Sequence, residues 1–453
     1  MEDTIVAVGT ALGIGAISII RISGKDSISI VNKVFKGCNL DTMKSHTIHY
    51  GHIIDRENVL DEVMVSIMKS PKSFTTEDTV EINCHGGIQT TNSILSLLIK
   101  EGCRLAEPGE FTKRAFLNGR IDLLEAESVM DIINAKTQKS LSLAMNQLNG
   151  KVSKKITNLR QSLIEILANI NVNIDYPEYE DIEEMTVTMI QNKIAEIKEK
   201  AISILEESKN GEIVRNGITT ALIGKPNVGK SSLLNNLLEE NKAIVTDIEG
   251  TTRDIVEGTI NLDGISLNII DTAGIRKTDN IVENLGVQKS LEMIESADLI
   301  LLIVNNNEQL SDEEIQILNQ IIQNKKEYII VINKIDLNAK LDISLFDKSR
   351  VIHISALKDI GIKELKDKIK EIFNLENIET QDMTYISNAR SIGILEKVLD
   401  GVKEIEKGIQ LNMPIDMIEI DIKNIWNLLG QITGETYEDE LIDQLFSQFC
   451  LGK

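Results

Sequence analysis

The sequence predicts a multidomain α/β protein in which a domain built on a mostly parallel sheet is flanked by helical segments. Its length of 453 residues is enough for about two to four domains. Short apolar runs rich in β-branched residues occur before residue 118 and again after residue 214, whereas amphipathic patterns fill the stretches that follow each of them. The predicted divisions are residues 1–118, 119–213, 214–372 and 373–453.

Residues 1–118 are predicted to form a small α+β domain. The runs AISIIRIS and VMVSIM are typical of strands, and the glycine-containing CHGG and LNGR are typical of turns. The apolar run at 5–22 follows Glu2 and Asp3 rather than basic residues, and glycines interrupt it. It therefore fits a strand better than a signal peptide.

Residues 119–213 and 373–453 are predicted to be helical, because apolar residues recur there at intervals of three and four. The segment 373–453 has 6 basic and 15 acidic residues. It is a poor match to a phosphate backbone and a better match to a basic protein partner. The whole chain has a formal charge of −22, so any RNA contact is expected to be local.

Composition also limits the compartment and the metal chemistry. The four cysteines, Cys38, Cys84, Cys103 and Cys450, are far apart and form no C-x-x-C pair. This argues against a zinc ribbon and favours a reducing compartment. No stretch of about 18 apolar residues follows the N-terminal run. We therefore expect a cytoplasmic protein.

Residues 214–372 alternate strand-like and helical patterns, as in a parallel sheet with crossover helices. After the first such strand comes GKPNVGKSS (224–232), a G-x-x-x-x-G-K-S motif followed by a helical segment. Glycines let consecutive backbone N–H groups face phosphate oxygens, and the helix N-terminus adds positive potential. Lys230 is expected to reach the β- and γ-phosphates, and the Ser231 hydroxyl to bind Mg²⁺.

Three further motifs stand at predicted strand ends, in the order expected of a GTP-binding domain. DTAG (271–274) places Asp271 near Mg²⁺. NKID (333–336) places the Asp336 carboxylate where it accepts hydrogen bonds from the N1–H and 2-amino groups of guanine, a pair of donors that adenine lacks. SAL (355–357) is expected to support the base. Together the motifs predict GTP rather than ATP as the nucleotide.

A switch segment is predicted between these motifs. GTTRD (250–254) supplies Thr252 as the second hydroxyl ligand of Mg²⁺. The position after DTAG is Ile275, where Ras-type proteins have a glutamine that positions water. An isoleucine cannot orient water, so another group must assist hydrolysis. The nearby polar candidates, each more typical of a solvated switch residue, are Asp254, Arg276 and Glu283.

Over its full length the chain resembles the MnmE (TrmE) family of bacterial tRNA modification GTPases, within the TrmE-Era-EngA-like class. The likeness rests on DTIVAVGTALGIGAISIIRISG, PKSFTTEDTVEINCHGG, EPGEFTKRAFLNGRIDLLEAESVMDII, the GTP-binding motifs and the C-terminal C-x-G-K. Thr76 stands where many relatives have glycine. The resemblance implies an N-terminal folate-binding and dimerisation domain, and one helical domain into which a Ras-like P-loop GTPase domain is inserted.

The resemblance also implies an activity. Family members hydrolyse GTP while modifying carbon 5 of the wobble uridine of certain tRNAs. They act with the FAD-containing partner MnmG (GidA) and a one-carbon unit from 5-formyl- or methylene-tetrahydrofolate. The product is an aminomethyl or carboxymethylaminomethyl uridine. FAD is expected only on the partner, and this chain is expected to be a homodimer that acts on tRNA.

In the family a potassium ion takes the place of an arginine finger, and the matching ligands here are Asn227, Thr246, the Ile248 carbonyl and Thr251. A cation between the β- and γ-phosphates neutralises the charge that grows there. Two GTPase domains are expected to meet face to face, and Glu283 matches the glutamate that orients the attacking water. The implied GTP contacts, with Lys230 also counted as catalytic, are Asn227, Val228, Gly229, Lys230, Ser231, Ser232, Thr246, Asp247, Ile248, Glu249, Gly250, Thr251, Thr252, Asp271, Thr272, Ala273, Gly274, Asn333, Lys334, Asp336, Ser355, Ala356 and Leu357.

The matching folate positions are Arg21, Glu81, Arg120 and Lys453. Cations can hold the glutamate carboxylate of folate, and a carboxylate can hold the amidine edge of the pterin. Without the resemblance, the two arginines have the character of solvated surface charges. Cys450 fits a catalytic thiol on a tail that reaches this pocket, with a packing role as the alternative.

Two other functions remain open at this point. A GTPase of ribosome assembly would cycle GTP and bind RNA without a folate site. A folate-dependent one-carbon transferase would act through residues 1–118, with the GTPase domain serving only to regulate it.

Overall fold

The computed structural model describes residues 3–175, 180–239, 258–271, 293–375, 378, 383–437, 439–450 and 452. The chain divides into two compact units, each with one β-sheet. The first unit comprises Met1–Ile133, Gln147–Ile202 and Gly393–Lys453, and the second comprises Asn134–Asn146 and Ser203–Ile392. Among the helices that the structure describes, none is long and apolar enough to cross a membrane.

The first unit begins with a seven-stranded sheet. Its strands are β1 (Ile5–Val8), β2 (Ile17–Ser23), β3 (Phe35–Lys36), β4 (Thr47–Asp55), β5 (Asn58–Met68), β6 (Thr79–His85) and β7 (Arg104–Leu105). The order is β3-β4-β5-β6-β2-β1-β7, and each neighbouring pair is antiparallel except β1 with β7. The strand-like runs in the sequence fall in β2 and β5, so strands are confirmed there.

Alternation along the strands gives this sheet one covered and one open face. The covered face packs against helices α1 (Ser27–Val34) and α2 (Ile88–Lys100) in a core of aliphatic side chains. On the open face Tyr50 and Met64 are register partners, 64% and 47% exposed. Arg21 and Glu81 are also register partners on this face. The open face therefore combines apolar and charged groups.

The remaining helices in chain order are α3 (Glu110–Leu117), α4 (Leu123–Asn134), α5 (Gln138–Leu148), α6 (Lys151–Asp175), α7 (Glu180–Asn216), α8 (Lys230–Glu239), α9 (Asp312–Gln323), α10 (Ile362–Ile372), α11 (Ala389–Gln410), α12 (Ile415–Thr433) and α13 (Asp439–Phe446). Within the first unit, α6 packs along α12, where the Arg160 guanidinium lies 4.3 Å from the ring centroid of Trp426. Gly434, in the left-handed conformation at φ 80°, ends α12. Helices are thus confirmed on both sequence flanks of the 214–372 segment.

The second unit holds a six-stranded sheet of β8 (Ile218–Ile223), β9 (Gly258–Leu262), β10 (Ile265–Asp271), β11 (Leu299–Asn305), β12 (Glu327–Asn333) and β13 (Val351–His353). The order is β13-β12-β11-β8-β10-β9, with only β9 antiparallel to its neighbour. Side chains of β11 alternate between two cores: Leu301 packs with α8 and α10, and Leu302 packs with α9. The predicted α/β class with a mostly parallel sheet is confirmed.

A buried ion network fixes α3 to the start of the chain. Arg114 is 1% exposed, and its Nη2 donates to Asp3 Oδ1 at 2.8 Å and to Glu110 Oε1 at 3.0 Å. Its Nη1 contacts Glu77 at 3.2 Å. Arg104 donates to the Glu110 carboxylate at 2.5 Å and to Asp3 at 2.6 Å. Two cations thus share three carboxylates from segments that are distant in sequence.

Within this network the pKa values of Asp3 and Glu110 are lowered. Burial alone would raise the pKa of Glu110, but hydrogen bonds from Arg104, from the Glu107 backbone N–H and from Arg114 outweigh it, so the pKa lies below its usual value. The hydrogen bond from Arg104 is the main cause of the lowered pKa of Asp3. Both carboxylates are therefore held in the charged form.

Replacing Arg114 by methionine is expected to lower the free energy of unfolding of the first unit by about 3–5 kcal/mol, because the buried Glu110 carboxylate then loses one of its two cationic partners. A lowered folded-state pKa stabilises the fold above the unfolded pKa, about 4.3 for Glu110. That stabilisation is lost as pH falls through the folded pKa. Thermal unfolding from about pH 6 to pH 3 should therefore show a smaller acid-induced loss in Arg114→Met than in the wild type.

Lys403→Met, which removes an exposed ion pair with Asp400, is the matched control and should leave the melting temperature near that of the wild type. If Arg114→Met and the wild type lose stability equally on acidification, Arg114 does not help to hold these carboxylates in the charged form.

Candidate functional site

The phosphate-loop motif lies between β8 and α8, at the carboxyl edge of the parallel sheet. Two of its glycines leave no room for a side chain. A Cβ on Gly224 would lie 2.5 Å from the Ile303 carbonyl oxygen. Gly229 has φ 103°, and a Cβ there would lie 2.2 Å from Asn333 Nδ2. Glycine is therefore required at both positions by the close approach of neighbouring strands.

Lys230 is the first residue of α8, and its ammonium turns back into the loop. Nζ donates to the carbonyls of Gly224 at 2.5 Å and Lys225 at 3.0 Å. Ser231 and Ser232 follow on the exposed first turn of the helix. The Lys230 ammonium and the start of the helix therefore both lie at the phosphate loop, as an anion-binding loop requires.

Asn333, at the end of β12, joins the phosphate loop to the two base-recognition motifs. It is 3% exposed, and Nδ2 donates to the Val228 carbonyl at 2.7 Å. Its Oδ1 accepts from the backbone N–H groups of Lys334 at 2.8 Å and Ala356 at 3.0 Å. Lys334 Nζ in turn donates to the Asn227 carbonyl at 2.8 Å. The structure thus brings the GKPNVGKS, NKID and SAL motifs together.

Asp336 is exposed and is aligned by Ser355, whose hydroxyl donates to Oδ1 at 2.6 Å. This hydrogen bond is the main cause of the lowered pKa of Asp336. The carboxylate is therefore ionised at neutral pH and can accept from paired N–H donors. Leu357 is 85% exposed beside this motif.

Other predicted nucleotide contacts are placed only in part. Asp271 is the last residue of β10 and pairs in register with Leu222 of β8, so its backbone lies beside the phosphate loop. The predicted switch and catalytic positions that fall outside the described residues are Thr246, Asp247, Ile248, Glu249, Gly250, Thr251, Thr252, Thr272, Ala273, Gly274 and Glu283. Asp254, Ile275 and Arg276 fall outside them as well.

Two of the predicted folate positions are in direct contact on the open face of the first sheet. Arg21 Nε donates to Glu81 Oε1 at 2.8 Å, and the two side chains are 22% and 23% exposed. Arg21 Nη1 donates to the Gly452 carbonyl at 3.2 Å, and the guanidinium lies 5.8 Å from the centroid of Phe111. The pair is therefore accessible and backed by an aromatic ring.

Arg120 is exposed and lies against Phe74, 4.8 Å from the ring centroid, with Nη1 donating to the Phe74 carbonyl at 2.9 Å. Phe74 packs on a small core that includes Ala7 and Phe111. Arg120 and Arg21 are therefore linked through aromatic side chains rather than by direct contact. Lys453 lies outside the described residues.

The C-terminal tail reaches the same region. The Gly109 N–H donates to the Cys450 carbonyl at 3.2 Å. Gly452 has φ 86°, and a Cβ there would lie 2.3 Å from the Val8 carbonyl oxygen. Phe446 and Phe449 stack at 5.0 Å between centroids and belong to a buried cluster with Phe116. The tail is therefore fixed on the N-terminal domain, and Cys450 itself is exposed.

Sequence reasoning missed several residues that contact the predicted folate positions and the tail. The rings of Phe111 and Phe74 pack against the guanidinium groups of Arg21 and Arg120, respectively. The Gly109 N–H donates to the Cys450 carbonyl and so holds the tail. The available signal was the glycine in EPGEF, which has φ 69° and would place a Cβ 2.5 Å from the Phe446 carbonyl oxygen. A glycine at a helix start marks a close backbone approach.

The chain is similar to known families, sequences and solved structures. The model of the MnmE helical domain matches residues 123–450, and that of the N-terminus of the GTP-binding protein TrmE matches residues 4–120. The tRNA modification GTPase MnmE of Bacillus cytotoxicus is 52% identical, over 100% of this chain and 99% of the relative. That of Streptococcus thermophilus is 52% identical, over 100% and 98%. The chain belongs to the MnmE family.

Membership of the MnmE family confirms the resemblance found in the sequence. The match to the MnmE helical domain begins before the six-stranded sheet and ends after it. This confirms the fold class, with a P-loop domain inserted into a helical domain. Among solved structures, the G domain of the T. maritima FeoB iron transporter is 28% identical, covering 34% of this chain and 97% of that chain, with a TM-score of 0.25.

Replacing Asp336 by asparagine in this MnmE-family chain is expected to change the base preference from guanine to xanthine. The amide supplies a donor where xanthine has a carbonyl, and it loses the charged acceptor for the two guanine donors. Each hydrogen bond to a charged group contributes about 1.5–3 kcal/mol, so GTP affinity should fall about a hundredfold or more. Competition of GTP and xanthosine triphosphate against a fluorescent nucleotide measures both affinities.

Asp342→Asn, at an exposed aspartate in the following loop, is the matched control and should keep GTP preference. Unchanged preference in Asp336→Asn would show that this carboxylate does not recognise the base.

Proposed function

We propose that this protein uses GTP hydrolysis to drive modification of carbon 5 of the tRNA wobble uridine to an aminomethyl or carboxymethylaminomethyl group. By family it is a tRNA modification GTPase, and hence a GTP hydrolase that binds GTP with Mg²⁺. The finer proposal rests on one observation: the tail carrying Cys450 is held beside the Arg21–Glu81 pair. A thiol and candidate folate contacts thus occur in a chain that also has a GTP site.

On the nucleotide side, the phosphate loop supplies the groups that phosphoryl transfer needs. Lys230 is already directed into the loop by two carbonyls, and exchanging them for phosphate oxygens would bring its charge to the β- and γ-phosphates. Ser231 and Thr252, with Asp271 through water, would hold Mg²⁺, which offsets the charge of the phosphate oxygens. Glu283 would orient the attacking water.

Potassium is proposed as the second cation, with Asn227, Thr246, Thr251 and the Ile248 carbonyl as its ligands. Of these, Asn227 is described: it is exposed, has φ 64°, and its carbonyl is held by Lys334. Asn227 is thus an exposed residue of the phosphate loop that offers a side-chain oxygen. An oxygen ligand there fits a monovalent cation that offsets charge between the β- and γ-phosphates.

On the folate side, the described residues fit a reduced folate. Glu81 has a carboxylate for the amidine edge of a pterin, and Arg21 and Arg120 have cations for the glutamate carboxylate. Phe74 and Phe111 add apolar surface behind the cations. We assign 5-formyl- or methylene-tetrahydrofolate to this pocket, with Lys453 as a fourth contact and Cys450 as the thiol that takes part in the chemistry.

Exposed apolar surface on the first sheet supports a homodimer. Ile48, Tyr50 and Met64 are at least 47% exposed on the open face of the first sheet, and a second copy of the chain is proposed to cover them. The modification also needs tRNA and an FAD-containing partner of the MnmG (GidA) kind, and we propose that it takes place in the cytoplasm. A role in ribosome assembly is not favoured, because the full-length relatives are tRNA modification GTPases.

GTP hydrolysis by the full-length protein is expected to be at least about tenfold faster in KCl than in NaCl at equal ionic strength. Asn227→Ala should abolish the difference. Because Asn227 has φ 64°, alanine also adds backbone strain. Asn227→Gly is therefore the matched variant, since it removes the oxygen and keeps the conformation accessible.

Equal wild-type rates in the two salts would refute the potassium proposal. Stimulation that survives in Asn227→Gly but not in Asn227→Ala would assign the effect to backbone strain.

The folate pocket and the thiol can be tested separately. Arg21→Met is expected to weaken binding of 5-formyl-tetrahydrofolate about tenfold or more, because a charge-assisted contact is lost. Cys450→Ser should leave folate binding and GTP hydrolysis near wild-type values and abolish tRNA modification. Equilibrium binding, phosphate release and nucleoside analysis of tRNA measure the three quantities.

Cys38→Ser, at a half-buried cysteine of the same unit, is the control for loss of a thiol elsewhere. Normal modification by Cys450→Ser would leave this cysteine only a packing role. Folate affinity unchanged in Arg21→Met would rule out the pocket.

A further inference from the structure

Residues 305–314, the bridging segment, lie between the two halves of the nucleotide site. The segment begins at the last residue of β11 and ends in the first turn of α9. Its sequence, NNNEQLSDEE, contains none of the GTP-binding motifs. A polar loop of this kind has the composition of ordinary solvated surface. Its contacts, however, are made with the base-recognition loop on one side and with the phosphate loop on the other.

On the base side, Asn306 forms hydrogen bonds with the first residue of the NKID turn and with the residue that follows the turn. Its backbone N–H donates to the Asn333 carbonyl at 2.9 Å, and its Nδ2 donates to the Leu337 carbonyl at 3.1 Å. Its own carbonyl accepts from the N–H groups of Lys340 at 2.9 Å and Leu341 at 3.2 Å. Asp336 lies in sequence between Asn333 and Leu337, the two residues that Asn306 holds. A shift of this turn therefore moves the Asp336 carboxylate.

On the phosphate side, Glu314 holds Lys225. Glu314 is 5% exposed, and its Oε2 accepts from the Ser311 N–H at 2.9 Å and from the Ser311 hydroxyl at 3.0 Å, which completes the capping box of α9. The same oxygen lies 3.0 Å from Lys225 Nζ. Lys225 is the second residue of the phosphate-loop motif, and its carbonyl accepts from Lys230. Because Glu314 neutralises the Lys225 ammonium, this lysine fixes the loop rather than supplying charge to phosphate.

We propose that the bridging segment positions the two halves of the nucleotide site separately. Asn306 orients the base loop and thereby sets the preference for guanine. Glu314, through Lys225, orients the phosphate loop and thereby sets affinity for a nucleoside triphosphate whatever its base. Both are positioning residues that act through Asp336 and the loop backbone. The inference rests on the GTP site of the proposed function and goes beyond it by assigning two independent controls.

A purely structural role would have a different signature. If the segment only stabilised the fold, loss of its contacts would lower the melting temperature and reduce the affinity for every nucleotide to the same extent. Comparison of GTP with inosine triphosphate separates the two cases, because inosine lacks the 2-amino group and so offers Asp336 one donor instead of two. The ratio of the two affinities therefore reports the placement of Asp336.

Asn306→Ala removes the side-chain bond to Leu337 and keeps the backbone bonds. GTP affinity of the full-length protein is expected to fall about fivefold, with a smaller loss for inosine triphosphate, so the affinity ratio falls. Displacement of a fluorescent, ribose-labelled GDP by each unlabelled triphosphate gives the two constants. An equal loss for the two nucleotides would overturn the base-side assignment.

Lys225→Met breaks the contact on the phosphate side. Affinities for GTP and inosine triphosphate should both fall about tenfold, with their ratio unchanged. Lys225→Arg should restore both, because a guanidinium can also bond to Glu314. The double variant Glu314→Gln, Lys225→Met should lower nucleotide affinity no more than the more severe of the two single variants. Each single variant already removes the same Lys225–Glu314 ion pair. A changed ratio in Lys225→Met, or additive losses in the double variant, would overturn the phosphate-side assignment.

Lys370→Met is the control, because Lys370 forms an ion pair with Asp263 at 2.7 Å in the same unit, outside the nucleotide site. It should leave both affinities unchanged. Absence of GTP binding by the wild type would refute the GTP site itself. Normal wild-type binding with an unchanged ratio in Asn306→Ala would refute only the present inference.

Discussion

The hydrogen bond between Arg21 and the Gly452 carbonyl joins residues 431 positions apart. Glu81 holds the same guanidinium from the neighbouring strand. The hydrogen bond therefore forms only when β2 and β6 have paired and the tail around Gly452 has reached its position. The first unit cannot be completed during synthesis until the last residues are available, although residues 203–392 of the second unit precede them in the chain. Discontinuity in sequence is thus a condition for building the proposed folate pocket.

Three kinds of contact hold the C-terminal tail in place where the structure describes it. Phe446 and Phe449 bury apolar surface with Phe116, the Gly109 N–H bonds the Cys450 carbonyl, and Gly452 packs against Val8 with no room for a side chain. Apolar burial gives most of the free energy, whereas the two glycine contacts set position. The exposed Cys450 is thereby presented from a fixed backbone, which its proposed role as a reacting thiol requires.

The nucleotide positions could be predicted from the sequence because each lies in a single local motif, and the structure shows that Gly224 and Gly229 leave no room for a side chain. The role of Asn306 could not be predicted, since its backbone partners come near only when β11 and β12 are paired. Arg114 likewise resembles a solvated charge in sequence, yet its partners at 3, 77 and 110 bury it completely. For the folate positions, residue chemistry alone favoured solvated arginines, and only the family resemblance indicated a pocket.

Thr76 shows how a departure from the family pattern becomes a physical feature. It has φ 62°, a conformation that costs a side-chain-bearing residue about 1–2 kcal/mol. Its neighbours compensate: Asn118 donates to the Thr75 carbonyl at 2.7 Å, and Ser73 bonds the Glu77 carbonyl at 2.5 Å. The same loop carries Phe74, against which Arg120 is fixed. The strained Thr76 backbone is therefore maintained within the same loop that places Phe74 against Arg120.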